Sequence, residues 1–119
     1  MEGTQSPDKR NWEETALTEA LLDTSVAIGR KQGIITIFTA IEYPTALSHD
    51  FEVILPKNED FEKSLDISAK LFAIGKPIPA IDVLIASMAI LRNMPLLTLD
   101  KHFLYVREVE PEFKLEIIK

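Results

Sequence analysis

The chain has 119 residues, of which 46% are hydrophobic and 27% charged, enough for one buried core and too short for two domains. It contains no cysteine, which excludes disulfides and thiolate metal sites. Thirteen Lys and Arg against nineteen Asp and Glu give a formal charge of −6, a balance that argues against holding nucleic acid or an anionic membrane by bulk electrostatics alone.

Residues 1–15 are polar, include Gly3 and Pro7 and lack periodicity, so they read as a loose leader in which Trp12 is suited to dock on the body. The amino-terminal twenty residues hold no apolar stretch of signal-peptide length, and a cytoplasmic protein is expected. The folded domain is expected over residues 16–119. Leu17 to Leu22 lead as a strand into Asp23, and Val26 to Lys31 form one or two helical turns that Gly33 ends. "IITIF" at 34–38 is a second strand, after which Thr39 opens a helical segment containing Glu42. "FEVIL" at 51–55 is a third strand, stopped by Pro56.

Asn58, followed by Glu59 and Asp60, starts a helix as a capping residue with acids at the positive end of the dipole. Phe61, Leu65, Ala69 and Phe72 recur at helical spacing and predict its buried face, with Gly75 as the stop. A helix over 80–92 carries Ile81, Leu84, Ile85, Met88 and Leu91 on one stripe, and Asn93 and Pro95 end it. The apolar stretch Ile78 to Leu91 is broken by Asp82 and too short to span a bilayer, so no membrane partner is expected. "LLTL" at 96–99 is a fourth strand and "FKLEII" at 113–118 a fifth at the edge. Alternating strands and helices predict a three-layer α/β sandwich with a mainly parallel central sheet.

In such sheets, ligands bind beyond the carboxyl ends of the strands where strand order reverses. Asp23 and Asp100 both stand at strand ends by this reading. Each acid of interest has a plain structural explanation. Asp23 could cap the next helix, Glu42 could close a capping box with Thr39, Asp82 could compensate a helix dipole and Asp100 could start a turn with Lys101. Pro44 argues against the regular geometry that the box at Glu42 needs. A single hypothesis covers all four: acids converging on magnesium or manganese, ions that choose carboxylate oxygen and bind substrate phosphates in the same shell. One or two such ions would offset the mutual repulsion of the carboxylates and serve an in-line displacement at phosphorus. Setting those four acids aside brings the formal charge from −6 to −2, which leaves a polyanion to be met by the metal and by local cations such as Lys31, Lys76 and Lys101. Arg30, Arg92 and Arg107 belong to the same reserve, although each of these residues is more often an ordinary solvated charge.

"LLDTSV", "TAIE", "GKPIPAIDVLIASMAI" and "LLTLDKHF" resemble the four motifs of PIN domains, especially the VapC-like toxins, in order and spacing from about Ala20 to Val109. The last two are the most specific. The resemblance implies a parallel sheet flanked by helices and a magnesium- or manganese-dependent ribonuclease, leaving a 3′-hydroxyl and a 5′-phosphate, that serves as the toxin of a toxin–antitoxin pair and self-associates. It also implies that Asp23, Glu42, Asp82 and Asp100 are the catalytic, metal-binding set, with Thr98 and Ser25 beside the metal shell. Thr98 has an equal reading as a strand hydroxyl with a local bond, and Ser25 as a helix cap. Phe103 reads as a packing anchor, and His102 as a surface histidine and not a base. The chain departs from the pattern where only seven residues separate Tyr43 from Phe51, so the helical arm is short. That trimming motivates the alternative of a catalytically silent PIN-fold module that binds RNA or protein. An aspartyl-phosphate enzyme using Asp23 fits poorly, because Ser25 occupies the place of its second Asp.

Overall fold

A computed structural model describes residues 19–118; the expected leader, with Trp12, and the expected strand residue Leu17 lie outside them. Five strands, β1 Leu21–Leu22, β2 Gln32–Thr36, β3 Asp50–Ile54, β4 Leu96–Thr98 and β5 Leu115–Ile117, form one sheet in the order β3-β2-β1-β4-β5. Every pairing is parallel, and β5 lies at the edge as expected. The helices are α1 Thr24–Ala27, α2 Ile37–Glu42, α3 Asn58–Ala73, α4 Ala80–Leu91 and α5 Phe103–Val109, with a 3₁₀ turn over Pro44–Ser48.

Alternate residues of the short central strands enter opposite layers, which gives the three-layer sandwich. Leu21 and Leu96 pack with Ile67 of α3, Val83 and Ile85 of α4, and Phe103 and Val106 of α5. Leu22 and Leu97 pack with Val26 and Ala27 of α1, Ile35, and Ala40 of α2. Leu21, Leu22 and Leu96 are wholly buried, a burial that stabilises by about 1.5–3 kcal/mol per side chain. Phe103 is likewise fully buried, the anchor it was read to be, and it opens α5, a helix for which the sequence reading has no counterpart.

Several boundaries differ from expectation for identifiable reasons. The second strand runs 32–36 instead of 34–38, because the Thr36 hydroxyl accepts the Thr39 N–H and caps α2. Thr39 is therefore a buried residue inside that helix and not its cap, and no capping box forms with Glu42, the last helical residue. Gly33 lies within β2 at φ 142° instead of ending α1. At α3 the capping position belongs to Lys57 and not Asn58; its backbone N–H donates to the Asp60 carboxylate at 2.7 Å. Gly75 at φ 75° ends α3 and Asn93 at φ 55° ends α4, both as expected.

The face of α3 is the largest correction. Phe61, Leu65, Ala69 and Phe72 are exposed, Leu65 at 74% and Phe72 at 68%, while Asp60, Ile67 and Leu71 are buried. Polar contacts set this rotation. Asp60 receives both terminal nitrogens of Arg92, at 2.8 and 3.0 Å; Ser64 donates to Ser87; Lys63 and Lys70 meet Glu110. Those partners lie on α4 and at the end of α5, so the stripe 60-64-67-71 turns inward and the apolar stripe beside it turns out. In α4, Leu84, Ile85 and Met88 are buried as expected, but Ile81 and Leu91 at its ends are exposed.

Candidate metal centre

The strand order reverses at β1: the chain builds β1, β2 and β3 outward on one side, then crosses to place β4 and β5 on the other. The carboxyl ends of β1 and β4 therefore flank the crevice where ligands bind in such sheets. Asp23 follows β1 and its backbone N–H donates to Leu97 O of β4 at 2.9 Å. Asp100 follows β4 by two residues. Because α4 leads back into β4, its first turn, with Asp82, opens at this same end.

Asp23 occupies the helix-capping position of α1, yet its side chain makes no cap hydrogen bond. Its Oδ2 instead accepts from Thr98 Oγ1 at 2.8 Å and Ser25 Oγ at 3.0 Å. Ser25 also accepts the Leu99 backbone N–H, and Thr98 accepts that of Asp100. These two hydroxyls thus tie Asp23, β4 and the Asp100 turn into one network, and Ser25 does not cap a helix with its side chain. Asp100 does make the turn expected of it: its Oδ1 accepts the His102 backbone N–H at 3.1 Å.

Asp82 is directed at neither cap nor solvent. His102 Nε2 lies 2.8 Å from its Oδ2, and His102 Nδ1 lies 2.9 Å from Asp100 Oδ1. His102, read from the sequence as a surface histidine, is partly buried and bridges two site acids. Ligand atoms of Asp82, Asp100 and His102 all fall within 4.8 Å of one another. Burial pushes the Asp82 carboxyl above its ordinary pKa against the pull of His102, and the charges of Asp23 and Asp100 push the same way. A site whose own acids repel one another in this manner fits a divalent cation.

Glu42 and Asp23 stand outside that three-residue group. Glu42 Oε1 accepts from Thr24 Oγ1 at 2.6 Å, and Thr24 Oγ1 also lies 3.0 Å from Thr39 Oγ1. Glu42 is thus linked to the residue after Asp23 and stands, like Asp23, outside the 4.8 Å group of Asp82, Asp100 and His102. Thr24 and His102 are the site-side residues that sequence reasoning left aside; the signal for each was its place one or two positions after a strand-end Asp. Among the expected RNA-facing cations, Lys101 is exposed beside Asp100. Lys76 is held by Glu108 at 3.2 Å and lies over the Tyr105 ring. Lys31 precedes β2, at the amino edge of the sheet and so at the end opposite the acids.

No protein-family model matches the chain, and no curated protein matches it. Among solved structures, it is similar to a chain of the VapBC2 complex from Rickettsia felis bound to a DNA fragment from their promoter, with TM-score 0.64 and 19% identity over 82% of this chain and 96% of that one. It is also similar to a chain of a toxin–antitoxin complex from Klebsiella pneumoniae, with TM-score 0.54 and 22% identity over 71% of this chain and 89% of that one. At such identities the likeness is one of fold, and the fold is PIN-like: a five-stranded, wholly parallel sheet between two layers of helices, as the four motifs imply.

Proposed function

We propose that this chain is a divalent-metal-dependent endoribonuclease, hydrolysing RNA phosphodiester bonds with water as the nucleophile, and the toxin of a type II toxin–antitoxin pair. The observation that carries the reading is the grouping of Asp82, Asp100 and His102 within 4.8 Å at the reversal of strand order, with Asp23 beside them. Asp82 and Asp100, with Asp23 at the adjoining strand end, are the residues to hold one or two magnesium or manganese ions; Glu42 is the outlying member. When bound, such ions supply positive charge for the phosphoryl oxygens and acidity for a water nucleophile. Thr98 and Ser25 fix the Asp23 carboxylate, and the Asp100 turn fixes His102 relative to Asp82. These are orienting tasks that hydroxyl and backbone donors perform without moving protons.

Two further parts of the reading have their own support. An antitoxin partner is suggested by the solved neighbours, both toxin–antitoxin complexes. Antitoxin binding and self-association each need apolar surface, and the groove of about 490 Å³ between α3 and α4, lined by Phe61, Leu65, Ile81 and Leu84, offers it. Among the described residues no helix is long and apolar enough to cross a membrane. The silent-module alternative draws on the short arm between Tyr43 and Phe51 and the net acidic charge, and on Glu42 and Asp23 both standing outside the 4.8 Å group.

The test is cleavage of RNA by the full chain with magnesium or manganese, with EDTA, and by the Asp82→Asn and Asp100→Asn variants. Cleavage restricted to the metal-loaded, unsubstituted protein is expected. Equal activity in all conditions would refute the mechanism, and binding of RNA with no cleavage would favour the silent module.

A further inference from the structure

His102 lies between two carboxylates, and its ring is seated against the buried Phe103 with centroids 5.0 Å apart. An imidazole offers two distinct ring nitrogens, either of which can ligate a metal ion while the other is held by a neighbour. Asp100 Oδ1 accepts the His102 backbone N–H and lies 2.9 Å from the ring's Nδ1, so one carboxylate holds the residue at two points. Nε2 lies 2.8 Å from Asp82 Oδ2, close enough for one ion to take both atoms as neighbouring ligands, and the ligand atoms of Asp82, Asp100 and His102 all fall within 4.8 Å of one another. A histidine whose second nitrogen is held by a carboxylate is also the usual oriented form of an imidazole ligand.

Carboxylate oxygens alone suit magnesium, calcium and manganese, whereas imidazole nitrogen suits later transition ions. We infer that His102 Nε2 is a direct ligand of the metal centre together with Asp82, that Asp100 orients the ring through Nδ1, and that this nitrogen shifts the site's ion preference from magnesium toward later transition ions such as cobalt or zinc. The inference rests on the metal-dependent reading of the site and adds to it a nitrogen donor and an order of preference.

The experiment uses the metal-stripped full chain, with magnesium and cobalt titrated separately by calorimetry, and pulsed electron paramagnetic resonance of bound manganese. It compares the unsubstituted protein with His102→Ala and with His102→Gln, which keeps a polar group of similar reach should the Ala variant lose its fold. Nitrogen-14 coupling to manganese is expected only in the unsubstituted protein. In the variants the preference for cobalt over magnesium should fall by about tenfold or more, the scale on which lost support at a metal site is felt. Binding of the ions with no nitrogen coupling, or with the same preference in all three proteins, overturns the role of His102 and leaves the metal-dependent reading standing. Failure of the unsubstituted protein to bind any of the ions overturns both.

Discussion

Thr98 Oγ1 donates to Asp23 Oδ2 at 2.8 Å across a sequence separation of 75 residues, and the hydroxyl is fully buried. That bond joins the carboxyl ends of β1 and β4, the two strands that frame the crevice, and it directs the Asp23 carboxylate away from the capping role its position invites. Thr98→Val keeps the shape and removes the donor. Stability should fall by about 1–2 kcal/mol, the cost of leaving a buried acceptor short of a partner. Divalent-ion affinity should fall by about 10–100-fold, the usual effect of losing an orienting bond to a ligand. Urea unfolding and calorimetric ion titration on the same variant separate the two.

The rotation of α3 is open to a simple comparison. Leu65→Glu, on the exposed stripe, should change the stability of the monomer by no more than about 0.5 kcal/mol. Ile67→Ala, on the fully buried stripe, should cost about 2–5 kcal/mol in urea unfolding. The reverse order would place the helix in the phase that its apolar periodicity alone suggests.

That periodicity explains what was legible in the sequence and what was not. The parallel sheet and the strand-end positions of Asp23 and Asp100 follow from apolar runs that stop at acids, whereas the strand order and its reversal at β1 emerge only in the fold. The phase of α3 did not follow, because two stripes compete, 61-65-72 and 60-64-67-71. The second wins through Arg92, Ser87 and Glu110, which lie 32, 23 and 40 or more residues from the groups they meet. Helix α2 holds a similar choice on a smaller scale, since Thr36 and Thr39 are both residues of capping type and the Thr36 hydroxyl takes the role by accepting the Thr39 N–H. The bridging place of His102 depends on where α4 delivers Asp82, twenty residues earlier, which no local pattern displays.

The ion pair that sets the α3 rotation should be expensive to break. Burial raises the proton affinity of Asp60, but the Arg92 hydrogen bonds and the Lys57 N–H outweigh it and hold the carboxyl below its ordinary pKa. Arg92 is only partly exposed at 20%, so Asp60→Ala strands a largely buried guanidinium. A loss of about 3 kcal/mol is expected in urea unfolding. The double variant Asp60→Leu with Arg92→Met should recover much of it, since both unpaired charges are then gone.

Glu110 should make stability depend on pH. Burial alone would raise its pKa, but Lys70 at 2.8 Å and Lys63 at 2.9 Å more than reverse this and lower it to about 2. A carboxyl with a depressed folded pKa contributes stability that is complete above its unfolded pKa of about 4.5 and is lost as pH falls toward about 2. The contribution at neutral pH is about 2 kcal/mol after allowance for the partly exposed lysines. Glu110→Gln should therefore be less stable than the unsubstituted protein at pH 7, with the gap narrowing steadily between pH 4.5 and pH 2. Thermal melts across that range read it directly, and a gap independent of pH would assign the loss to packing instead.

The central claim, that acids from β1, α4 and the end of β4 converge to bind a divalent ion, is tested most directly by calorimetric titration of manganese into the metal-stripped full chain and its Asp82→Asn variant. The account predicts saturable binding of one or two ions to the unsubstituted protein and at least about a tenfold weaker affinity in the variant. Absence of binding in the unsubstituted protein, or equal binding in both, would contradict it.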